Sequence, residues 1–204
     1  MGFSAMFFGS WIALNRMEKY GVTRAGSPVD YDEDLNRSGL SRCVLASVGI
    51  FLVSMIFTGL FGQAVLYVPK STMLGVMETA FATVPVLTRI LNELLYQTFV
   101  VAAAEESMKL SAMIGLTWKF RSSANEFLRS KAREAAAAIV VGFWALLHAI
   151  LAYSNVYMTV AAFVAGLILL WQLFDTKSIL APIVTHGPLY NAILQIIKIV
   201  AGSV

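Results

Sequence analysis

Apolar runs long enough to cross a lipid bilayer recur along the whole 204-residue chain. A helix needs about 20 such residues to span the hydrocarbon core. The runs predict five spans and two marginal segments: about 43–69, 97–117, 135–152, 155–174 and 179–203, and about 2–14 and 73–88. Because each run is continuous, we predict an all-α fold, a polytopic transmembrane bundle of about six or seven helices.

Composition agrees with a multi-pass integral membrane protein in contact with lipid. The chain is 58% hydrophobic and 13% charged, with a mean hydropathy of +0.74, whereas a soluble domain needs a polar exterior. One membrane domain, residues 1–204, accounts for the chain, with a polar loop at 15–42. The segment at about 2–14 is interpreted as a short first membrane helix or anchor rather than a removed signal peptide.

Two function classes fit the composition poorly. The net charge of +3 is not gathered into a basic stripe with interleaved aromatic residues, so we expect no nucleic-acid partner. A single cysteine, Cys43, excludes an intramolecular disulfide and a cysteine-rich metal site. Any chemistry that this protein performs in the membrane must therefore use side chains other than cysteine pairs or clusters.

Ionisable side chains inside the apolar runs are the candidate functional residues. The stretch VVAAAEESMKLSAM, residues 100–113, carries Glu105 and Glu106 side by side. A charge at the bilayer centre costs at least about 2.5–3.5 kcal/mol on insertion scales. Both histidines of the chain, His148 and His186, also lie in apolar segments. A carboxylate pair and two imidazoles on three helices indicate a reaction centre.

Each of these residues also has a structural explanation. A membrane histidine is often an interhelical hydrogen-bond partner. Glu105 and Lys109 are spaced i,i+4 and could neutralise each other. Adjacent glutamates then point about 100° apart, so Glu106 needs another partner. Glu78 has no motif around it and is interpreted as structural.

The order of these residues resembles the CAAX-prenyl-endopeptidase and bacteriocin-processing family of intramembrane proteases (CPBP, also called Abi). A double glutamate is followed by an aromatic-x-x-x-His and then by a histidine with an asparagine soon after. The closing segment AAFVAGLILLWQLFDTKSILAPIVTHGPLYNAIL has the usual appearance of the family's last motif. The resemblance covers about residues 97–195, the protease-like core.

Three positions depart from the family pattern. The first motif is usually Glu-Glu-x-x-x-Arg, but Leu110 takes the arginine position, and Lys109 gives Glu-Glu-x-x-Lys, a feature closer to PrsW-like proteases. In the second motif Trp144 replaces the usual phenylalanine before His148. The PrsW-like group would carry a glutamate in this motif, so His148 favours the CPBP side.

The last departure concerns the spacing after His186. The family pattern is His-x-x-x-Asn, but here Tyr190 stands four residues on and Asn191 stands five. On an ideal helix the fifth residue points about 140° away, against about 40° for the fourth. Gly187 and Pro188 can interrupt the helix and turn Asn191 back.

The resemblance implies an intramembrane endopeptidase acting on a membrane-bound peptide or protein. Glu105 would be the general base, with His148 polarising the attacking water. His186 and Asn191, or Tyr190, would stabilise the oxyanion, and Glu106 with Lys109 would orient Glu105. These catalytic and supporting positions are Glu105, Glu106, His148, His186 and Asn191, and Lys109, Trp144 and Tyr190.

The cofactor question stays open at this point. Two histidines and a glutamate can ligate Zn²⁺ with an open position, so Glu105, His148 and His186 form the zinc site if one exists. The sequence has no local H-E-x-x-H pair. No cofactor is required by the pattern, and no metal is assigned.

Two other functions use the same residues. A non-catalytic structural or scaffold subunit, packed against other membrane subunits, would keep the fold without activity. A proton-coupled transporter would use the intramembrane glutamates and histidines as a relay, but no internal repeat typical of transporters is present. The intramembrane endopeptidase explains the combination best.

Membrane orientation gives a conflict. The loop from Lys119 to Glu134 has five basic and two acidic residues, which predicts a cytoplasmic location. Glu105 lies about eight residues inside its span, roughly 12 Å deep. With that loop in the cytoplasm, Glu105 and His148 lie nearer the opposite face, whereas prenyl-protein proteases work from the cytosolic side.

Overall fold

The computed structural model describes residues 40–61, 84–148 and 156–201, and the regular structure in these ranges is helical. The elements are α1 Leu40–Phe61, α2 Val86–Leu95, π1 Tyr96–Ala102, α3 Ala103–Arg121, α4 Glu126–Ser130, α5 Ala132–His148, α6 Val156–Thr176, α7 Leu180–His186, π2 Gly187–Ala192 and α8 Ile193–Val200. The predicted segment at 2–14, Glu78, and most of 15–42 and 73–88 lie outside the described residues.

Two described stretches are long and apolar enough to cross a membrane, Thr159–Thr176 and Leu180–Val200, and the apolar helix Arg42–Ile56 is shorter. About a third of each spanning window is buried inside the protein, 33% in both cases. Most of their apolar side chains therefore face outward, where lipid can cover them. The all-helical prediction is confirmed for the described residues, and six or seven spans stay a prediction.

Helices α2, π1 and α3 form one continuous helical stretch from residue 86 to residue 121. The backbone stays in the right-handed helical region at both junctions, Leu95 and Ala102. The predicted span 97–117 therefore begins inside a longer helix. Glu105 and Glu106 lie in the first turn of α3, directly after the wide turn of π1.

The core lies where α3, α5 and α6 pack together. Its buried side chains are Leu110, Met113, Ile114, Ala136, Ala137, Val140 and Leu173. Ala136 is fully buried, with an exposed fraction of 0%. Small residues at a membrane helix interface let two backbones approach closely, so the alanine-rich start of α5 lies tightly against the second half of α3.

Helix α1 packs beside α6 and α7, and polar contacts fix their relative position. The Arg42 guanidinium binds the Asp175 carboxylate at 2.6 Å, which places the start of α1 beside the end of α6. Thr185 Oγ1 of α7 donates to the Cys43 carbonyl at 3.2 Å. The Thr185 bond ties the end of α7 that carries His186 to α1.

The two π-helical turns pack against each other. A Cβ built on Gly187 would lie 2.8 Å from Thr98 Cα and 2.9 Å from Gln97 O. Both atoms belong to the π1 backbone, which cannot move aside cheaply. Glycine is therefore needed where π2 crosses π1. This crossing lies just before Glu105 in the chain and just after His186.

Candidate active site

The ionisable residues come from three helices. Glu105 and Glu106 lie in the first turn of α3, His148 lies on α5, and His186 lies where α7 passes into π2. Trp144 lies one helical turn before His148 on α5. The chain thus brings residues about 40 and 80 positions apart to one place, as the hydrogen bonds of both glutamates show.

Glu106 accepts hydrogen bonds from a lysine and a histidine. Its Oε1 atom accepts a hydrogen bond from Lys109 Nζ at 2.7 Å and another from His186 Nδ1 at 2.8 Å. Exposed fractions of 6%, 8% and 7% make all three residues buried. A buried carboxylate is stable in its charged form when it is paired and hydrogen-bonded in this way.

Glu105 has different partners. Trp144 Nε1 donates to Glu105 Oε2 at 2.8 Å. The same Oε2 atom lies 3.9 Å from His186 Nε2 and 4.0 Å from His148 Nε2. Two imidazole nitrogens therefore face one carboxylate oxygen at a separation that a single water molecule, about 2.8 Å from each atom, can bridge.

The hydrogen bonds assign the ring protons of both histidines. His148 Nδ1 lies 2.9 Å from the Trp144 carbonyl, and a carbonyl only accepts, so Nδ1 donates. His186 Nδ1 donates in the same way to the Glu106 carboxylate. The Nε2 atom of each ring is therefore the atom turned toward Glu105. The Glu106 carboxylate lies behind the His186 ring and can balance positive charge on it.

Glu105, Glu106, His148 and His186 together form the Glu–His cluster, and His148 is its most accessible member. Its side chain is 22% exposed, against 10% for Glu105 and 8% for His186. Among the groups that face Glu105 Oε2, the His148 ring is therefore the one most open to its surroundings.

Trp144 touches most of the cluster. Its ring centroid lies 4.3 Å from that of His148 and 6.0 Å from that of His186, the second contact being edge-on. Lys109 Nζ lies 4.2 Å from the indole centroid, within the range of a cation–π interaction. Trp144 itself is buried, with an exposed fraction of 5%.

The segment after His186 is a π-helix, Gly187–Ala192. Proline lacks a backbone N–H and disrupts α-helical bonding, and a π turn bonds i to i+5, so it holds one residue more than an α turn. The predicted interruption at Gly187 and Pro188 is thus seen as a wider turn of the helix. A wider turn brings the direction of Asn191 closer to that of His186 than an ideal α-helix would.

Tyr190 faces a different helix. Its hydroxyl shares a 2.9 Å hydrogen bond with Ser54 Oγ, and its ring centroid lies 4.8 Å from that of Phe51. Both partners belong to α1. Asn191 is half-buried, and no bond between its amide and the Glu–His cluster is recorded in the described part of the chain.

Metal binding is a separate question. Among residues 40–61, 84–148 and 156–201, no group of three or more His, Cys, Asp or Glu side chains could hold a metal ion. Ligand atoms of a tetrahedral zinc site lie about 3.3 Å apart, given Zn–N and Zn–O bonds near 2.0–2.1 Å. The 3.9 Å and 4.0 Å separations at Glu105 are wider than this, so the three residues do not fit zinc in this arrangement.

A small cavity borders the Glu106–Lys109 pair. Its volume is about 20 Å³, and apolar residues of α3, α5, α6 and α7 form the rest of its wall. That volume holds at least one water molecule. Neither Glu105 nor His148 lines it, so the cavity is not the place where a peptide would meet those two residues.

The structure does not show the alternative pairing of Glu105 with Lys109, and sequence reasoning missed two contacts. Lys109 binds Glu106 at i,i+3 instead of Glu105 at i,i+4. The Trp144 N–H was not expected as a donor to Glu105. A buried indole N–H usually needs an acceptor, and this was the available signal. Gly166 was also missed, although it leaves room for the Trp144 ring: a Cβ there would lie 3.2 Å from Trp144 Cζ3.

Comparison with known proteins gives one match. The family described as Type II CAAX prenyl endopeptidase Rce1-like matches residues 78–193, more than half of the chain. Searches of the curated proteins and of the solved structures found no match. The matched range contains every member of the cluster described above.

Proposed function

The chain belongs to the Rce1-like type II CAAX prenyl endopeptidase family, and on that premise we propose that it is an intramembrane endopeptidase acting through a glutamate-activated water. The family is one of membrane peptide hydrolases, which makes a scaffold role the less favoured alternative. The observation that carries the proposal is the position of Glu105 Oε2, 3.9 Å and 4.0 Å from two imidazole nitrogens.

Glu105 is the general base in this mechanism. A water between Glu105 and His148 gives a proton to the carboxylate while its oxygen attacks the carbonyl carbon of the scissile bond. His148 Nε2, with the ring proton held at Nδ1 by the Trp144 carbonyl, accepts the second water hydrogen bond. The water is thereby oriented before the substrate carbonyl arrives.

His186 and Asn191 stabilise the oxyanion that develops on the substrate carbonyl. A protonated Nε2 on His186 donates to that oxygen, and Glu106 behind Nδ1 balances the positive charge on the ring. When the tetrahedral intermediate collapses, the proton taken up by Glu105 passes to the leaving amine and the C–N bond breaks. Water is consumed, and a carboxylate and an amine are formed.

The proposed substrate is a membrane-associated peptide. The family's name points to a CAAX C-terminus, that is, a prenylated cysteine followed by three residues. The lipid group would keep the peptide at the bilayer, and the exposed edge of His148 would receive the scissile bond. The proposed architecture is a multi-pass membrane domain of six or seven spans, in which residues 97–195 form the protease-like core.

Cleavage by the purified full chain in lipid vesicles tests this function. The probe is a synthetic peptide ending in a farnesylated CAAX sequence, and mass spectrometry identifies the products. We expect two fragments whose masses sum to that of the peptide plus one water. A His148→Ala preparation, purified in the same way, measures contaminating peptidases. Equal product from both preparations, or none from either, would contradict the proposal.

A further inference from the structure

Trp144 makes contacts that the proposed reaction does not yet use. It lies at the centre of the site, with Glu105, Lys109, His148 and His186 all within reach of its ring or its N–H. An aromatic side chain in a membrane bundle is usually apolar packing. This one is a hydrogen-bond donor to the carboxylate on which the mechanism depends.

Lys109 connects Trp144 to the second carboxylate. Its ammonium group lies 4.2 Å from the indole centroid and 2.7 Å from Glu106 Oε1. A cation over the ring face is attracted by the ring's negative quadrupole, and the attraction is larger when water is excluded. Lys109 thus balances the charge of Glu106 and holds the indole at the same time.

Space for this arrangement comes from α6. A Cβ on Gly166 would lie 2.8 Å from Val141 Cγ1 and 3.2 Å from Trp144 Cε3. A side chain at this point would overlap Val141 and press on the indole. The Trp144 ring therefore has the Lys109 ammonium near its face and the small residue Gly166 of α6 beside it.

We infer that Trp144 and Lys109 act as one positioning unit, which holds the Glu105 carboxylate toward the two histidines through the indole N–H. This inference rests on the proposed function. Trp144 binds the carboxylate of the proposed base and Lys109 holds the indole, and neither contacts the water or the substrate in the proposed reaction, so both are positioning residues. The lysine one position before the usual arginine and the tryptophan in place of phenylalanine are then two halves of one arrangement.

The first test reads the contact itself, independently of activity. In a ¹⁵N-indole spectrum of the full chain in nanodiscs, Trp144→Phe identifies the Trp144 N–H signal by its loss. We expect Glu105→Gln to move that signal upfield, because a neutral amide is a weaker acceptor than a carboxylate. Glu126→Gln, in the exposed loop helix α4, should leave it unchanged. A Trp144 signal that Glu105→Gln does not move would overturn the inference.

The second test reads the reaction. Trp144→Phe keeps a ring but loses the N–H, so we expect kcat to fall at least tenfold with KM within threefold of wild type. The kcat of Lys109→Met should fall similarly, and that of Lys109→Arg should stay within threefold of wild type. The kcat of the Trp144→Phe, Lys109→Met double variant should lie within threefold of that of the poorer single variant. Trp118→Phe, at an outward-facing tryptophan, is the matched control.

The outcomes separate the two proposals. If the loss of kcat in the double variant equals the product of the two single losses, or if Trp144→Phe keeps full activity, the positioning unit is overturned. The proposed endopeptidase function would still stand. A wild-type chain that cleaves nothing would refute the endopeptidase, and with it the reaction that Trp144 serves. In that case the spectrum still decides whether the indole binds Glu105.

Discussion

Neighbouring glutamates have opposite surroundings at the residue scale. Glu106 accepts two hydrogen bonds on its Oε1 atom, from Lys109 and from His186. Glu105 has a neutral indole donor at 2.8 Å and faces two imidazole nitrogens at about 4 Å. In the proposed mechanism the water lies at the open contact of Glu105. This contact is why we propose Glu105 as the base and Glu106 as the supporting residue.

Asn191 and Tyr190 can be separated by one pair of variants. Asn191→Ala should lower kcat about 100-fold, because loss of one oxyanion donor typically costs about 10²–10³. Tyr190→Phe should keep kcat within threefold and lower stability by about 1 kcal/mol, the value of its hydrogen bond to Ser54. Cleavage kinetics and thermal unfolding measure the two effects. A large kcat loss in Tyr190→Phe with none in Asn191→Ala would reverse the assignment.

The residues of the cluster were predictable from sequence, but their partners were not. Ionisable side chains in apolar runs are costly, so Glu105, Glu106, His148 and His186 stood out without a structure. Spacing alone could not decide between i,i+3 and i,i+4 for Lys109, because both neighbours lie on the same helix face. The Trp144 bond crosses from α5 to α3, and no local pattern contains that information.

At the scale of elements, two wide helical turns position the chemistry. π1 precedes the glutamate pair and π2 follows His186, and the two meet where Gly187 approaches the π1 backbone. π turns are often found at functional sites. A sequence predicts a helix interruption from glycine and proline, but whether the interruption becomes a kink, a break or a wide turn depends on the neighbouring helix.

Helix packing around Trp144 gives an element-scale prediction. Gly166→Ala should lower the free energy of unfolding by about 1–3 kcal/mol, because the new methyl group would overlap Val141 and crowd the indole. Gly142→Ala is the matched control. Outside its own helical turn, no atom of the described residues lies within 4 Å of its added Cβ, and alanine favours helix by up to about 1 kcal/mol. Thermal unfolding in one detergent compares them. Equal unfolding temperatures for Gly166→Ala and Gly142→Ala would contradict this packing.

At the scale of the whole molecule, basic residues gather at one end of the described helices. Three basic residues of the 122–133 connection, Arg129, Lys131 and Arg133, lie with the Arg42–Asp175 pair and Lys177 near the paired helix ends of α1, α3, α5 and α6. Positive residues in short loops favour the cytoplasmic side. We therefore predict a cytoplasmic location for this end of the described helices, with Glu105 toward the other end of α3.

Orientation can be measured with a single introduced thiol. In a Cys43→Ser background, Ser123→Cys places a cysteine in the connection between α3 and α4. An impermeant maleimide should label it only in sealed vesicles that expose the cytoplasmic face. Cys43 itself is buried, with 1% exposed, so wild type serves as the unlabelled control. Labelling from the opposite face alone would invert the predicted topology and place the site nearer the cytosol.

The most direct test of the account is the cleavage rate of Glu105→Gln relative to wild type, per folded protein, on the farnesylated CAAX peptide. A glutamine keeps the size of the side chain but cannot take the proton from water. We predict a rate at least 100-fold lower, in line with the loss of a general base, while Glu126→Gln stays within twofold of wild type. A Glu105→Gln protein that retained more than a third of the wild-type rate would contradict the mechanism.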